Sequence, residues 1–574
     1  MIKKNLCKFF GSLKENWVDT TLNCLFIFIF INIFTAVFGP ENSMTGVSLV
    51  IIMMSSMAQD MTAVPFKHFL SQSAVLLLMA LSSCLVGILP PYLVFFLNFI
   101  TVFIIIYAFT YEYADHMYFP YILSYLFLIF IAPVSLEQLP KRMTGMVAGA
   151  ACIILYQLFK GRRRIHETAQ YVLSSIMDNA CQSIRCLTLG EGEKPSPQQV
   201  RAQLCKLSHI VFQRRRKVFC ISDASFALVD VGRGMEILIL LLNSLPAGQN
   251  PEQLLLLERI FAELEKYRGF LFTKDGELPP LNRQDFMVPQ VDPEEKFYFA
   301  LDYLRSHLLA MRNPQKKTCY RKTALSFKVR LQAVLDISAI RVVYSLRVSL
   351  MLSVFLLVVQ ALSLTHGKWL MFTLASLSLP YADGVSKKTG QRVTATMIGC
   401  LTSLVLYSFI PSAAGRTVVM IFFGYFSGFF SVYTGVYACS TISALGAAVM
   451  AAGTGFSSVA FMCLVRLIYI LLGSLIALLA NCVLLPFNRS RATELLIKKY
   501  SRTTELLSHV CQEENIDPQI YYNLVIQAHL QEEKLVRNAA DAGWNGMEGL
   551  LEACRRHVQE AHRHHPFPCS SVAS

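Results

Sequence analysis

The chain has 574 residues, of which 54% are hydrophobic and only 16% are charged, and its mean hydropathy is +0.46. A soluble globular protein of this length carries more charge, so the composition indicates a multi-span helical membrane protein. The formal net charge of +14 does not indicate a nucleic-acid partner, because the cations flank the hydrophobic runs, as in KGRRR at 160–164.

Two hydrophobic blocks flank a polar middle region. The predicted domains are a first six-span block (1–160), a cytosolic helical domain (161–340), a second six-span block (341–487) and C-terminal cytosolic helices with a disordered tail (488–574). The predicted spans are 22–38, 43–58, 69–89, 91–109, 119–136, 142–159, 343–364, 367–382, 391–410, 416–432, 434–452 and 461–486. The fold class is all-α, a polytopic membrane protein.

The two blocks resemble copies of one another. A shift of 324 residues takes Arg142 onto Arg466, segment 43–58 onto 367–382, and His68 onto Arg392. Because each block has six predicted spans, the two copies would have the same orientation and form a parallel repeat.

The polar regions predict helices and an orientation. Apolar periodicity predicts helices at 165–188, 196–215, 224–246, 251–272, 294–312, 490–513 and 518–561. The amphipathic stretch 326–350 predicts an elbow helix on the membrane surface. Lys and Arg concentrate in the loops of one side, so we expect a multi-pass protein of the cell (cytoplasmic) membrane with both termini in the cytoplasm.

An arginine followed seven residues later by a glycine opens a hydrophobic run three times. The pairs are Arg142 with Gly149, Arg392 with Gly399, and Arg466 with Gly473. Glycine lets a neighbouring helix pack closely, and arginine offers a planar fork suited to carboxylates. One interpretation is a topology anchor with a packing glycine. The functional interpretation is a cationic constriction for organic anions, to which Arg347 also contributes.

Two segments are too short to cross a bilayer as straight helices. They are 43–58 and 367–382, and they occupy matching positions in the two blocks. Paired short segments are typical of a transport site. Pro380 would end the second segment, and Asp60 and Asp383 follow the two breaks. The alternative is a tilted helix with exposed ends.

The second block resembles a known family. The residues that carry the resemblance are YSLRVSLMLS (344–353), GKWLMFTLASLSLP (367–380), GQRVTATMIG (390–399) and RLIYILLGSLIALLANCVLLPF (466–487). They are similar to the fusaric acid resistance protein-like family and the aromatic acid exporters, although Ala395 replaces the usual glycine before Thr396. The resemblance implies export of aromatic or other organic acids from the cytoplasm.

The leading functional hypothesis is therefore efflux of small organic anions. In addition to the arginines, Thr394, Thr396, Asp383, Trp369 and Pro380 are expected to line or shape the path, and His68 and Asp60 are candidates for proton coupling. The alternatives are an anion channel of the same architecture and a membrane scaffold without transport.

The sequence contains no motif for an enzyme, a metal or a cofactor. It lacks a Walker A loop and the HExxH and GxSxG motifs, and its C-terminal histidines lack metal-ligand spacing. The expected partners are a small organic anion, the lipid bilayer and further copies of the chain, for example as a homodimer. A periplasmic adaptor is left open.

Overall fold

The computed structural model consists of helices and connecting loops, with no strand among the residues that it describes. The described residues are 2–57, 59–62, 64–111, 113, 117–189, 197–214, 222–246, 250–273, 276–288, 291–292, 295–313, 315, 338–410, 412–430, 432–452, 456–512, 518–542 and 547–564. The core of the predicted elbow helix and the predicted disordered tail lie outside these residues.

The α-helices follow one another in chain order. The first six are α1 (Ile2–Phe38), α2 (Ser43–Ser56), α3 (Pro65–Leu85), α4 (Pro91–Phe109), α5 (Tyr118–Phe130) and α6 (Leu139–Leu189). The middle region contains α7 (Pro197–Arg214), α8 (Asp223–Ser244), α9 (Pro251–Phe272) and α10 (Lys296–Arg312). Then come α11 (Ala339–Ala361), α12 (Gly367–Leu377), α13 (Val385–Phe409), α14 (Ala413–Ser427), α15 (Tyr433–Ala452) and α16 (Phe456–Val483). The last are α17 (Arg489–Cys511), α18 (Pro518–Ala542) and α19 (Glu548–His564).

The predicted fold class is confirmed, since eight described helices are long and apolar enough to cross a membrane. They contain the segments Thr20–Phe38, Pro65–Leu85, Pro91–Phe109, Leu139–Lys160, Ala339–Ala361, Ala382–Phe409, Tyr433–Met450 and Phe456–Val483. Two shorter apolar helices, α5 and α14, accompany them. The number of twelve spans and the duplication of the blocks stay predictions.

Two predicted helix boundaries are wrong. The predicted span 142–159 and the predicted helix 165–188 are one continuous helix, α6, because the basic residues between them favour helix as strongly as the flanking residues do. The single helix predicted at 518–561 is instead two helices, α18 and α19. Two glycines, Gly543 and Gly546, stand between them, and each glycine weakens a helix by about 1 kcal/mol relative to alanine.

Close contacts divide the chain into two compact units. The membrane unit comprises Met1–Ala58, Phe66–Leu155 and Ile337–Arg489, and the second unit comprises Gln59–Pro65, Tyr156–Asp336 and Ser490–Ser574. The membrane unit therefore contains both hydrophobic blocks, and the second unit contains the polar helices.

Within the membrane unit, the two blocks pack against each other. Helix α4 lies against α11, and α5 lies against α12. Between α5 and α12, the rings of Phe127 and Phe372 meet edge to face at 5.2 Å, and Tyr118 of α5 also meets Tyr344 of α11 edge to face at 4.9 Å. Aromatic pairs at these distances and angles add to the stabilisation from buried area. Helix α5 of the first block thus helps to build the surroundings of α12 in the second block.

Within the second unit, the helices form a bundle with an apolar core. Helix α8 packs against α7 and α10, and α18 packs against α7. The core includes fully buried side chains such as Met235 and Leu238 of α8 and Leu304 of α10. Polar side chains also enter this core from α18, where Gln531 and Glu532 are buried.

Candidate functional site

Three buried arginines of the second block each have two guanidinium nitrogens without a hydrogen-bond partner among the described residues. Arg347, Arg392 and Arg466 expose 2%, 6% and 6% of their surfaces. In each of them, Nε and Nη1 are buried and have no hydrogen-bond partner among the described residues. A buried charge without a partner is costly, and in membrane segments such charges are usually functional. The three guanidinium groups are therefore the strongest candidate site in the membrane unit.

The sequence around these arginines contains almost no negative charge. Between Asp336 and Glu494, the only acidic residue is Asp383. This side chain is exposed, and its Oδ2 accepts a hydrogen bond from the backbone N–H of Arg489 at 2.7 Å. A counter-ion for the buried guanidinium groups therefore has to be found outside this stretch of chain.

An aromatic ring lies beside each of the three guanidinium groups. The guanidinium carbon lies 4.1 Å from the ring centre of Tyr437 for Arg392, and 5.2 Å from that of Trp369 for Arg466. For Arg347 the ring is that of Tyr344, at 5.8 Å. A cation within about 6 Å of a ring is attracted to the ring face, which offsets part of its burial cost.

Two of these rings, those of Tyr437 and Tyr344, contact further tyrosines and with them form a tyrosine cluster. The amino group of Lys388 lies 5.4 Å from the ring of Tyr433, and that ring lies 4.2 Å from the ring of Tyr437. Tyr118 from the first block extends the cluster through its contact with Tyr344. Cations and aromatic faces thus alternate over surfaces supplied by α5, α11, α13 and α15.

Where α12 ends, backbone carbonyl groups lose their helical partners and accept hydrogen bonds from side chains instead. The carbonyl of Ser378 accepts hydrogen bonds from the hydroxyls of Tyr344 at 2.9 Å and Tyr118 at 3.4 Å. Arg347 Nη2 donates to the carbonyls of Leu379 and Pro380. Non-helical backbone within a membrane protein needs such partners, because lipid offers none. Arg347 therefore stabilises the non-helical segment after α12 through Nη2. Its Nε and Nη1 have no hydrogen-bond partner among the described residues.

All three guanidinium nitrogens of Arg142, the fourth predicted arginine, donate hydrogen bonds. It is completely buried, and its Nε donates to Asn42 Oδ1 at 3.0 Å. Its Nη1 donates to the carbonyl of Ala132 at 2.6 Å, and its Nη2 to that of Glu41 at 3.1 Å. This guanidinium group joins two loops of its own block. The structure places Arg392 and Arg466 close enough for their charges to interact.

The three glycines of the repeated pattern lie at close helix contacts. A Cβ atom on Gly149 would lie 2.4 Å from Leu49 Cδ1, and one on Gly473 would lie 3.0 Å from Thr373 Cβ. Each residue of the second pair is 324 positions after its counterpart in the first, so the same contact recurs at the predicted shift. The third glycine, Gly399, faces α15.

The remaining predicted site residues have varied surroundings. Thr394 is exposed, and Thr396 is buried with its hydroxyl donating to the carbonyl of Arg392 at 2.9 Å. Asp60 is buried between α2 and α3, and its Oδ1 accepts from the backbone N–H of Thr62 at 2.8 Å. His68 is half-buried in α3. A role of His68 and Asp60 in proton coupling stays a prediction.

Sequence reasoning missed the tyrosine cluster. Tyr433 and Tyr437 are one helical turn apart, and Lys388 and Arg392 have the same spacing, so the two pairs could face each other. This shared spacing could have predicted a contact between the two cations and the two tyrosines. The contribution of Tyr118, which comes from the other block, was not predictable from local pattern.

The helices define a multi-pass helical membrane protein with desolvated cations in one of its blocks. Residues 352–480 match the family described as fusaric acid resistance protein-like, which confirms the resemblance seen in the sequence for this segment. The matched segment runs from α11 into α16 and includes Arg392 and Arg466. It indicates a membrane transport protein of the efflux type. Comparison with curated proteins and with solved structures found no match.

Proposed function

We propose that the chain exports small organic anions, aromatic carboxylates among them, from the cytoplasm through the second block. The observation that supports this most strongly is the set of buried, incompletely paired guanidinium groups of Arg347, Arg392 and Arg466. An anion that enters their surroundings supplies the missing acceptor atoms and the missing charge.

The energetic reason lies in the burial of the cations. A guanidinium group at mid-depth costs at least about 2.5 kcal/mol on membrane-insertion scales. A carboxylate accepts two parallel hydrogen bonds from one arginine, and charge-assisted bonds of this kind are about twice as strong as neutral ones. An entering anion therefore recovers free energy that the described residues around these arginines do not supply.

The aromatic rings favour an anion that also has an apolar or aromatic body. Tyr437 and Trp369 lie beside Arg392 and Arg466, so a bound carboxylate would have a ring face within reach. Offset or edge-to-face contacts between aromatic rings contribute about 0.5–1.5 kcal/mol beyond area burial. This arrangement supports aromatic carboxylates more than small inorganic anions.

The driving force proposed for export is the membrane potential. An inside-negative potential favours outward movement of a monoanion by about 2.3 kcal/mol per 100 mV. Proton exchange through His68 or Asp60 stays an untested prediction. The potential alone suffices to move the anion against a substantial gradient.

The test is uptake or release of radiolabelled benzoate by vesicles that contain the purified chain under an imposed potential. We expect wild-type vesicles to move benzoate and Arg392→Gln vesicles to move it at a strongly reduced rate. Lys67→Gln is the matched control, because it removes one positive charge from an exposed position of α3. Equal rates for wild type and Arg392→Gln would refute the proposal. Unitary currents carried by benzoate would instead favour the anion channel.

A further inference from the structure

A cleft in the second unit has the size of a small-molecule site. It lies between α7, α8 and α19 and has a volume of about 420 Å³. Sites for small organic ligands commonly measure roughly 300–1,000 Å³ and combine apolar walls with a few fixed polar groups. The residues around this cleft follow that pattern.

One side of the cleft is built from guanidinium groups held in place by carboxylates. Arg201 lies 3.1 Å from Glu236 and 3.5 Å from Glu532, and Arg555 Nε donates to Glu532 at 2.8 Å. Each arginine has five N–H donors, so these pairs leave donors over. Arg556 and the carboxylate Glu552 also line the cleft, and both are exposed. The carboxylates thus orient the cations without using all of their hydrogen-bonding capacity.

An amide on α8 adds a polar atom without a partner. Asn243 lines the cleft, and its Oδ1 is buried with no hydrogen-bond partner among the described residues. The amide also carries an NH₂ group, which can donate a hydrogen bond to an anion in the cleft.

The opposite wall is apolar. Val200 of α7 and Ile239 and Leu240 of α8 line it. Leu240 has 44% of its surface exposed. A ligand that covered it would bury apolar surface at roughly 25 cal/mol per Å².

We propose that this cleft binds a small amphipathic carboxylate. The carboxylate would lie on Arg555, Arg556 and the Asn243 amide, and the apolar body would lie on Ile239 and Leu240. Because α19 supplies the two arginines and α8 supplies the wall, the ligand joins the C-terminal helix to the bundle. This site is separate from the buried arginines of the membrane unit, and its existence does not depend on transport.

The experiment is titration calorimetry of the purified full chain with benzoate and, separately, with inorganic phosphate. We expect saturable benzoate binding that persists in the double variant Arg392→Gln/Arg466→Gln. Added to that double variant, Leu240→Trp, which fills the cleft, should abolish the remaining binding, and Arg556→Gln should weaken it about tenfold, as expected for loss of one charged hydrogen bond. Arg537→Gln, an exposed arginine of α18 outside the cleft, is the matched control and should bind like wild type.

Three outcomes would overturn the inference. In the first outcome, Arg392→Gln/Arg466→Gln abolishes benzoate binding and Leu240→Trp leaves it unchanged. This result would place the ligand in the membrane unit. Phosphate binding as tight as benzoate binding would contradict an amphipathic ligand. Arg556→Gln with wild-type affinity would contradict the assigned contact, and because this residue is exposed its replacement should not prevent folding.

Discussion

Arg142 and Arg392 should respond in opposite ways to the same substitution. Both side chains are buried, but Arg142 donates three hydrogen bonds to its own block, whereas Nε and Nη1 of Arg392 have no partner among the described residues. Replacement by glutamine removes the charge in both cases and keeps a polar side chain. The two variants therefore separate a structural role from a binding role.

For Arg392→Gln we expect a loss of anion affinity with little loss of stability. A hydrogen bond to a charged group contributes about 1.5–3 kcal/mol, which corresponds to roughly a 10- to 150-fold increase in the half-saturation concentration of benzoate. The contact with Tyr437 is lost as well, but removal of a poorly paired buried charge offsets that loss. The free energy of unfolding should stay within about 1 kcal/mol of the wild-type value.

For Arg142→Gln we expect the reverse. Loss of charged hydrogen bonds to Asn42, Ala132 and Glu41 should lower the free energy of unfolding by about 3 kcal/mol. The measurement pairs benzoate flux in vesicles with thermal unfolding in detergent for both variants. The reasoning is refuted if Arg392→Gln lowers the unfolding temperature as much as Arg142→Gln does, or if the two variants reduce benzoate affinity equally.

Three further predictions concern packing, pH and charge. Gly399→Ala should destabilise the protein by about 1–3 kcal/mol, because the new Cβ would lie 2.6 Å from a neighbouring side chain and 2.9 Å from a backbone oxygen. Gly390 in the same helix has open space around it, so Gly390→Ala should not lower the temperature of thermal unfolding. Burial lowers the pKa of His529, so the unfolded chain binds a proton that the folded chain does not, and stability measured by denaturant titration should fall as the pH falls below about 6.5. His529→Gln should reduce that pH dependence, and replacement of the exposed His509 should not. Asp383→Asn keeps a hydrogen-bond acceptor and removes the only negative charge of the second block, so benzoate flux should be maintained or increased, and a loss of flux would contradict the proposed electrostatics.

The helices were largely predictable because their signals are local. The predicted helix 251–272 coincides with α9, and 294–312 coincides with α10 to within two residues. Both have apolar residues at helical spacing, and α9 begins with Asn250 as its N-cap followed by proline. The continuity of α6 was missed because a change from apolar to basic composition marks a change of environment and does not by itself end a helix.

The candidate site was predictable only in part. Arg392 and Arg466 could be expected to lie beside apolar segments, but the structure places them within α13 and α16 and not at the helix starts. The full hydrogen bonding of Arg142 could not, because two of its acceptors are backbone carbonyls whose positions depend on how the loops fold. Likewise, the two tyrosine hydroxyls on the carbonyl of Ser378 come from helices of different blocks. Contacts between segments distant in sequence leave no periodic pattern.

The hydrogen bonds of Arg142 determine whether the first block could bind an anion. Asn42 provides the one side-chain acceptor among its three partners, and the other two are backbone carbonyls that substitution does not remove. Replacing Asn42 with an aliphatic residue would release a single buried nitrogen while the rest of the guanidinium group stayed anchored. The first block would then contain a buried guanidinium group with one nitrogen left to donate to an anion, whereas all three nitrogens now have acceptors.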